Sequence, residues 1–269
     1  MRVQQEILIS PNKNLKAIIE GGELISFNFL GEELIHDKKK GWNNSDTEMF
    51  PIVGPTEKTN FKITTPKGEA ILDQHGIARL INFQRTHKTR QKIRYSKFYN
   101  AYSNLQNPKA SPNKLNPQIV FWPYDFEIIK TLDISNEKLT IEFIIKCDTT
   151  MPYMFGYHPA FKLSGKKEEF IYLDKKLNLY YGEVEEQGNF AYQVNNLSTV
   201  QLIRKDRNLN IEIKTYGFEN MMFWTNDSSM ICIEPITHPP FTRTQSYFEK
   251  RILGPQKFKV EIIPKKFQE

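Results

Sequence analysis

Apolar and polar residues alternate along much of this chain, which is the pattern of β-strands, whose successive side chains point to opposite faces. The alternation is clearest in residues 138–147 (KLTIEFIIKC) and 209–215 (LNIEIKT). Polar turn residues separate the runs, as at residues 12–14 and 135–137. The pattern predicts strands at residues 6–10, 15–20, 23–30, 118–122, 126–134, 138–147, 199–204, 209–215 and 258–263.

The sequence has no stretch with a helical period that is long enough to bury a helical core. Many strands without crossover helices predict an all-β fold, a large antiparallel β-sandwich. No Ser/Gly-rich linker divides the 269 residues, so we expect a single domain over residues 1–269. Residues 99–117, with five asparagines and three prolines, predict a long loop beside the binding face.

Residues 154–161 (MFGYHPAF) end an apolar, aromatic strand on a histidine. Pro159 fixes the backbone after the imidazole and has no N–H for a sheet ladder, so we expect the strand to end with His158 pointing out of the sheet. An imidazole, with a pKa of about 6.5 in model peptides, can give or take a proton near neutral pH. His158 is thus a candidate for proton transfer. The alternative is a histidine at the edge of the core, bonded to a backbone carbonyl.

Two further segments place a polar group beside Gly or Pro. Residues 73–79 (DQHGIAR) set His75 before a turn glycine, with Arg79 four residues later. Residues 230–235 (MICIEP) form a short apolar strand that closes on Glu234 and a proline. A carboxylate in so apolar a setting needs hydrogen-bond donors or a raised pKa, and either condition suits a general base. A structural carboxylate held by backbone donors is the alternative.

Four motifs resemble those of the aldose 1-epimerases, or mutarotases, in chain order and rough spacing. They are residues 156–161 (GYHPAF), residues 75–79 (HGIAR), the pair Glu234 and Pro235, and Trp42 followed by residues 50–54 (FPIVG). The resemblance spans nearly the whole chain and points to the branch typified by bacterial LacX-like proteins. It implies the large galactose mutarotase-like β-sandwich, whose concave sheet holds the sugar.

The resemblance also implies a reaction. A cyclic aldose opens when a base takes the proton of the anomeric hydroxyl O1 and an acid protonates the ring oxygen O5; reclosure on the other face gives the other anomer. Glu234 matches the family's base, His158 its acid, and His75 a second histidine that orients the sugar. We expect Glu234 to be ionised and His158 to be protonated. The positive charge of His158 should then lower the pKa of Glu234, and the negative charge of Glu234 should raise the pKa of His158. The alternative is a neutral His158 that donates an N–H to O5.

Substrate contacts are expected from Arg79, whose planar fork can bond two neighbouring oxygens, and from Trp42 and Phe50, for which packing in the core is the alternative. No cofactor is required, and the partner is a small-molecule sugar.

The net charge of +6 and pI near 9.0 suggest an alternative activity, that of a hexose-6-phosphate 1-epimerase in which Arg79 and Lys88 attract the phosphate. Nucleic acid is not an expected partner, because the lysine clusters are mixed with acidic residues.

Other classes of protein fit less well. Two histidines and a carboxylate can bind zinc, but none of the close spacings of zinc motifs occurs, so no metal site is predicted. A serine hydrolase lacks its Gly-x-Ser-x-Gly elbow. A non-catalytic carbohydrate-binding module on the same fold remains open, although it would have no use for a matched acid and base. His36, His87 and His238 match no motif and are interpreted as surface or loop residues.

Compartment and assembly follow from weaker signals. Cys147 and Cys232 lie in apolar, strand-like runs and are expected to be free, buried thiols in a reducing cytoplasm, although a disulfide between them stays open. Residues 1–6 lack the apolar core of a secretion signal, and no apolar run is long enough for a membrane span. We therefore expect a cytoplasmic monomer or homodimer without a membrane partner.

Overall fold

A computed structural model describes residues 4–111, 113–148, 151–166, 169–173, 177–240 and 254–267. Within these ranges the chain forms strands, one five-residue helix, α1 (Tyr181–Glu185), and single 3₁₀ turns at Glu57–Thr59, Ala78–Leu80 and Lys205–Arg207. The strands are β1 (Gln5–Ile9), β2 (Leu15–Glu20), β3 (Glu23–Phe29), β4 (Glu32–Glu33), β5 (Glu48–Met49), β6 (Lys62–Thr65), β7 (Gly68–Ile71), β8 (Gln84–Lys88), β9 (Lys92–Tyr99), β10 (Leu105–Gln106), β11 (Ile119–Val120), β12 (Phe126–Ile134), β13 (Leu139–Cys147), β14 (Gly156–Tyr157), β15 (Ala160–Lys162), β16 (Glu169–Tyr172), β17 (Asn178–Tyr180), β18 (Tyr192–Asn195), β19 (Thr199–Arg204), β20 (Leu209–Tyr216), β21 (Asn220–Trp224), β22 (Met230–Ile236) and β23 (Gln256–Lys266).

Two large antiparallel sheets dominate the described part of the chain. One has nine strands in the order β17-β16-β19-β20-β23-β13-β12-β9-β8. The other has the order β18-β21-β22-β14-β5, with β15 also paired to β22. A four-stranded sheet, β1-β2-β3-β4, and the hairpins β6-β7 and β10-β11 accompany them. The predicted all-β antiparallel sandwich is confirmed.

An aromatic core joins the two large sheets. Phe143 of β13 lies 5.1 Å, between ring centroids, from Tyr157 of β14 and 5.2 Å from Phe155. Phe126 of β12 packs edge-on against Phe50 at 4.9 Å. Aromatic pairs of this kind add about 0.5–1.5 kcal/mol each beyond the burial of their surface. This packing fixes the position of β14, and hence of the residue that follows it, relative to the nine-stranded sheet.

All nine predicted strands are confirmed in position. β2, β12 and β19 begin and end where the alternation places them, whereas β11 is shorter and β23 longer than predicted. Among the strands that the alternation did not predict are β8 and β9. All five residues of β8 are exposed, so no apolar face marks it, and in β9 a lysine, Lys97, occupies one of the buried positions. β8 lies at the edge of its sheet, where charged side chains discourage pairing with other chains.

Two expectations about the whole chain can be compared with the structure directly. Cys147 and Cys232 are free thiols, as predicted; Cys232 is buried, but Cys147 is half-buried at the end of β13. None of the helices within the described ranges has the length and apolar character needed to cross a bilayer.

Candidate active site

The pairing of three strands brings His158 opposite Glu234. β14 and β15 both pair with β22 in one continuous antiparallel register, so His158, the first of the two residues between them, faces Glu234. Their Nε2 and Oε1 atoms are 3.3 Å apart, and both residues are buried. β22 continues through Pro235 to Ile236, so the prediction that this strand ends on Glu234 is wrong. The carboxyl group projects from the middle of a sheet, where the backbone is most firmly held.

His75 approaches the pair from a tight turn. His75 and Gly76 both have left-handed backbone conformations, with φ of 68° and 66°. A Cβ at Gly76 would lie 2.3 Å from the carbonyl oxygen of Phe50, so this position requires glycine. His75 Nδ1 is 2.7 Å from the carbonyl oxygen of Val53, which can only accept, so Nδ1 carries the hydrogen and Nε2 is left for a ligand. The rings of His75 and His158 are 5.5 Å apart.

Phe50 supports this turn through its backbone. Its N–H donates to the carbonyl of His75, and its carbonyl accepts from the N–H groups of Ile77 and Ala78. Its ring is fully buried and packs on Phe126. The prediction that the Phe50 side chain contacts sugar is therefore corrected: the core-packing alternative holds, because the ring has no exposed surface.

Trp42 lies against one of the catalytic candidates, His158. Its half-buried ring is 4.4 Å from the ring of His158, and Trp224 lies 6.1 Å from the same imidazole. His36 Nε2 donates to the carbonyl of Trp42 at 2.8 Å. His36 is in a loop, as predicted, but it is 1% exposed, so its interpretation as a surface residue is wrong. Sequence reasoning missed its role, which is to hold the segment that carries Trp42.

Several polar atoms of this site have no hydrogen-bond partner among the described residues, although they are buried. They belong to the residues predicted from the motifs and are Arg79 Nε and Nη2, His158 Nδ1 and Glu234 Oε1. Arg79 lies in the 3₁₀ turn Ala78–Leu80 that follows the His75 turn. Buried polar groups in proteins are nearly always hydrogen-bonded. These atoms are therefore available to a polar ligand.

Burial determines the protonation states. Burial raises the pKa of Glu234 to about 8 and lowers that of His158 to about 3, with the charge of Arg79 acting in the same direction on His158. The pKa of His75 is held well below its usual value by burial, then by His158 and Arg79. The expected ion pair is therefore corrected: desolvation outweighs the mutual attraction, and at neutral pH His158 is neutral and Glu234 is largely protonated.

A buried ionic network, which the sequence analysis missed, lies beneath the site. Lys130 Nζ is 2.8 Å from Asp46 Oδ2 and 2.9 Å from Glu48 Oε1. Lys97 Nζ is 2.7 Å from Glu48 Oε2, and the Tyr157 hydroxyl donates to Asp46 at 2.6 Å. Burial alone would raise the pKa of Glu48, but the charges of Lys130 and Lys97 hold it at about 2. Burial instead raises the pKa of Asp46 against the charge of Lys130. Glu48 therefore keeps its charge although it is 3% exposed.

This network connects the two sheets to the catalytic candidates. Lys97 and Lys130 occupy inward-facing positions of β9 and β12, whereas Glu48 lies on β5 of the other large sheet. Lys97 also donates to the carbonyl of Ala78, in the turn that carries Arg79. Tyr157 immediately precedes His158. The signal in the sequence is a lysine where the alternation requires an apolar residue.

The segment predicted as a long loop, residues 99–117 of which all but 112 are described, contains the short strand β10 and lies beside the His75 turn. The side-chain amides of Asn107 and Asn116 donate to Asp73 Oδ2 at 2.8 and 3.0 Å. Lys109 Nζ donates to Gln74 Oε1 at 3.1 Å. The loop therefore brings a lysine close to the turn that carries His75.

Lys109, rather than Lys88, is the cation near Arg79. Burial and then the charge of Arg79 lower the pKa of Lys109. Lys88 lies on the edge strand β8 and forms an ion pair with Glu6. The expectation that Lys88 flanks the site is thus corrected.

Comparisons with known proteins identify the family of the chain. The model of the aldose 1-epimerase family matches residues 7–201, well over half of the chain, and the chain belongs to this family. Trp42, His75, Arg79 and His158 lie inside the matched range. Glu234 lies beyond it, so its assignment depends on its position opposite His158. No curated protein sequence matches the chain.

Solved structures share the fold over nearly the whole chain. A galactose mutarotase-like protein from Lactobacillus casei ATCC 334 has a TM-score of 0.78 at 15% identity, covering 97% of this chain and 100% of that one. A galactose mutarotase related enzyme from Lactobacillus acidophilus has a TM-score of 0.72 at 16% identity, with 98% of each chain covered. An aldose epimerase homologue from C. elegans has a TM-score of 0.69 at 12% identity, covering 98% of this chain and 100% of that one. At these identities the likeness shows the fold alone.

Proposed function

We propose that this protein is an aldose 1-epimerase that interconverts the α and β anomers of aldohexoses. The observation that carries the proposal is the facing pair His158 and Glu234, whose Nε2 and Oε1 atoms are 3.3 Å apart and which retain unpartnered polar atoms in a buried site. An acid and a base this close can reach two oxygens on the same anomeric carbon. The free thiols fit a protein of the reducing cytoplasm.

Glu234 acts as the base in the proposed reaction. Its carboxylate takes the proton of the O1 hydroxyl, and the C1–O5 bond breaks as the C1 carbonyl forms. The electron pair of the broken bond passes to O5, whose negative charge is stabilised by an N–H hydrogen bond from the neutral imidazole of His158. Rotation about C1–C2 exposes the other carbonyl face. On reclosure the proton returns from Glu234 to O1, as microscopic reversibility requires.

Three other groups hold the sugar. Arg79 offers two buried N–H groups that lack partners among the described residues, and its planar guanidinium suits adjacent hydroxyls. His75 offers Nε2, because Nδ1 is bound to Val53. Trp42 supplies an apolar surface beside His158 on which the C–H face of a pyranose can pack.

Polarimetry of freshly dissolved α-glucose and α-galactose tests the proposal. We expect mutarotation faster than in buffer for one or more aldoses. No acceleration across a panel of free and phosphorylated sugars would contradict it. Sugar binding by calorimetry without any acceleration would indicate a carbohydrate-binding module instead.

The pH profile follows from the raised pKa of Glu234. We expect kcat/KM, corrected for the hydroxide-catalysed background, to rise with pH through a midpoint near 8, because this parameter reports the ionisation of the free enzyme. We expect no falling limb in the ordinary range of histidine, since the pKa of His158 is about 3. A bell centred on neutral pH would instead support a protonated His158.

A second candidate substrate class is supported by one observation. Arg79 and Lys109 place two cations beside the His75 turn, and a sugar phosphate requires convergent donors of this kind away from its anomeric carbon. We therefore propose hexose 6-phosphates as an alternative substrate. Free-sugar turnover that millimolar glucose 6-phosphate neither replaces nor slows would exclude this class.

A matched pair of lysine variants separates the two substrate classes. If a phosphate binds between Arg79 and Lys109, Lys109→Gln should raise KM for glucose 6-phosphate about tenfold or more, the usual effect of losing a charged hydrogen bond, and leave KM for free glucose unchanged. Lys88→Gln is the control and should leave both values unchanged, because Lys88 is paired with Glu6. Equal KM changes for both sugars in Lys109→Gln would contradict phosphate recognition.

A further inference from the structure

We infer that His158, Cys232 and Glu234 form a binding site for a thiophilic divalent cation such as Zn²⁺, which competes with the sugar. The cation site itself does not depend on the proposed activity, and Cys232 takes no part in the proposed reaction; only the competition with the sugar rests on the proposed function. One ligand atom from each residue, a ring nitrogen, the Sγ and a carboxylate oxygen, lies within 4.8 Å of the other two. All three residues are 5% exposed or less.

The strand geometry brings these donors together. Cys232 and Glu234 are two residues apart on β22, so their side chains lie on the same face, and the pairing of β14 and β15 with β22 places His158 opposite them. Bonds of roughly 2.0–2.3 Å to a tetrahedral zinc ion set its donor atoms about 3.3–3.7 Å apart. The 3.3 Å between His158 Nε2 and Glu234 Oε1 meets this spacing. The three donor atoms lie within 4.8 Å of one another, so coordination requires the thiol to move by about 1 Å.

An ion in this position would satisfy an atom that now lacks a partner. Glu234 Oε1 is buried and has no hydrogen-bond partner among the described residues, so coordination would break no hydrogen bond of that oxygen. Its carboxyl is 1% exposed, which makes an unsatisfied oxygen costly. Glu234 Oε1 is therefore available to coordinate an ion.

The donor set selects the metal. Sulfur, imidazole nitrogen and carboxylate oxygen are the ligands of zinc sites, whereas Mg²⁺ and Ca²⁺ prefer oxygen alone. Binding displaces one proton from the Cys232 thiol and one from the Glu234 carboxyl where it is protonated. The thiolate and carboxylate then cancel the double charge of the ion, which offsets its repulsion by Arg79. Three protein ligands leave a fourth position for water.

A bound ion would occupy the atoms of His158 and Glu234 that face each other, so it would exclude the sugar from the same place. The two free cysteines provide a matched test. We expect metal-free protein to bind about one equivalent of Zn²⁺ by calorimetry, and Co²⁺ to give a thiolate-to-metal charge-transfer band. Cys232→Ser should weaken Zn²⁺ binding at least 100-fold, since loss of even an outer-shell partner weakens metal sites about 10- to 100-fold, and should abolish the band. Cys147→Ser, which removes the half-buried thiol of β13, should change neither.

Further measurements ensure that the test of Zn²⁺ binding does not rely on the correct folding of a single variant. Circular dichroism checks each fold, and Glu234→Gln should also weaken Zn²⁺ binding, because an amide is a poorer ligand than a carboxylate. Mg²⁺ should produce no heat of binding at the same concentrations. Failure of the wild-type protein to bind Zn²⁺ at micromolar levels would overturn the inference, as would unchanged Zn²⁺ binding by Cys232→Ser. None of these readouts requires mutarotation, so they fail or succeed separately from the proposed function.

Discussion

Replacing Glu234 with glutamine is expected to lower kcat/KM for mutarotation by about two to four orders of magnitude, the usual contribution of a positioned acid or base. The amide keeps the size of the side chain but cannot take the proton of O1. Polarimetry of fresh α-glucose measures the loss. Glu127→Gln is the matched control: Glu127 lies on β12 in a part-exposed ion pair with Lys146, so its rate should equal that of the wild type. An unchanged rate in Glu234→Gln would remove this residue from the mechanism.

The same variant reports on the burial of the carboxyl group. Because folding raises the pKa of Glu234 from 4.5 to about 8, its contribution to stability is fully present below pH 4.5 and is lost as the pH rises through 8. Glutamine does not ionise. The free energy of unfolding of Glu234→Gln, relative to the wild type, should therefore increase by a few kcal/mol between about pH 5 and pH 9 in urea titrations. A constant difference across this range would contradict the raised pKa.

The second large effect is expected in the ionic network beneath the site. Lys130→Met should lower the free energy of unfolding by about 3–5 kcal/mol, because it leaves the buried carboxylates of Asp46 and Glu48 without one of their cations. Urea denaturation at neutral pH measures the loss. The matched control is Lys146→Met, which breaks the part-exposed pair with Glu127 on the same sheet and should cost about 0–1 kcal/mol. A loss in Lys130→Met no larger than in this control would contradict the role of the network.

The strands that the sequence predicts well are those with one buried and one exposed face. β2 repeats apolar residues at every second position, β12 does so except at Lys130, and the bounds of both agree with the prediction. β8 is exposed along its whole length, and its residues show no alternation of apolar and polar side chains. Apolar residues at every second position show that one face of a strand is buried. An edge strand with no buried face lacks this pattern, so it cannot be predicted from it.

The site residues found from the sequence are those whose backbone has special requirements. Pro159 after His158 and Gly76 after His75 mark places where the chain must stop a ladder or adopt a left-handed turn. The local motif around Phe50 predicts that its side chain contacts the sugar. Its burial instead depends on packing against Phe126, which is remote in sequence. Motifs thus locate the turns of the site but do not say which side chains face it.

The electrostatics of the site could not be predicted, because they depend on burial by distant segments. The sequence suggests mutual attraction between His158 and Glu234, whereas desolvation dominates both pKa values in the fold. Lys109 lies in a long polar loop without a local pattern, and its proximity to Arg79 arises only when the loop closes on the His75 turn. Lys130 did leave a signal, a cation at an inward position of β12.

Exchange between the anomers of an equilibrated sugar tests the central claim most directly. Selective inversion of the α-anomer signal of glucose, galactose or glucose 6-phosphate by NMR measures the interconversion rate without any net change in composition. For at least one of these sugars, the wild-type protein should transfer the inversion to the β-anomer at a rate proportional to its concentration. At equal concentration, the rate of Glu234→Gln should be about 1% of the wild-type rate or less. Equal transfer by the two proteins, or none above buffer by the wild type for any sugar, would contradict acid–base anomer exchange at His158 and Glu234.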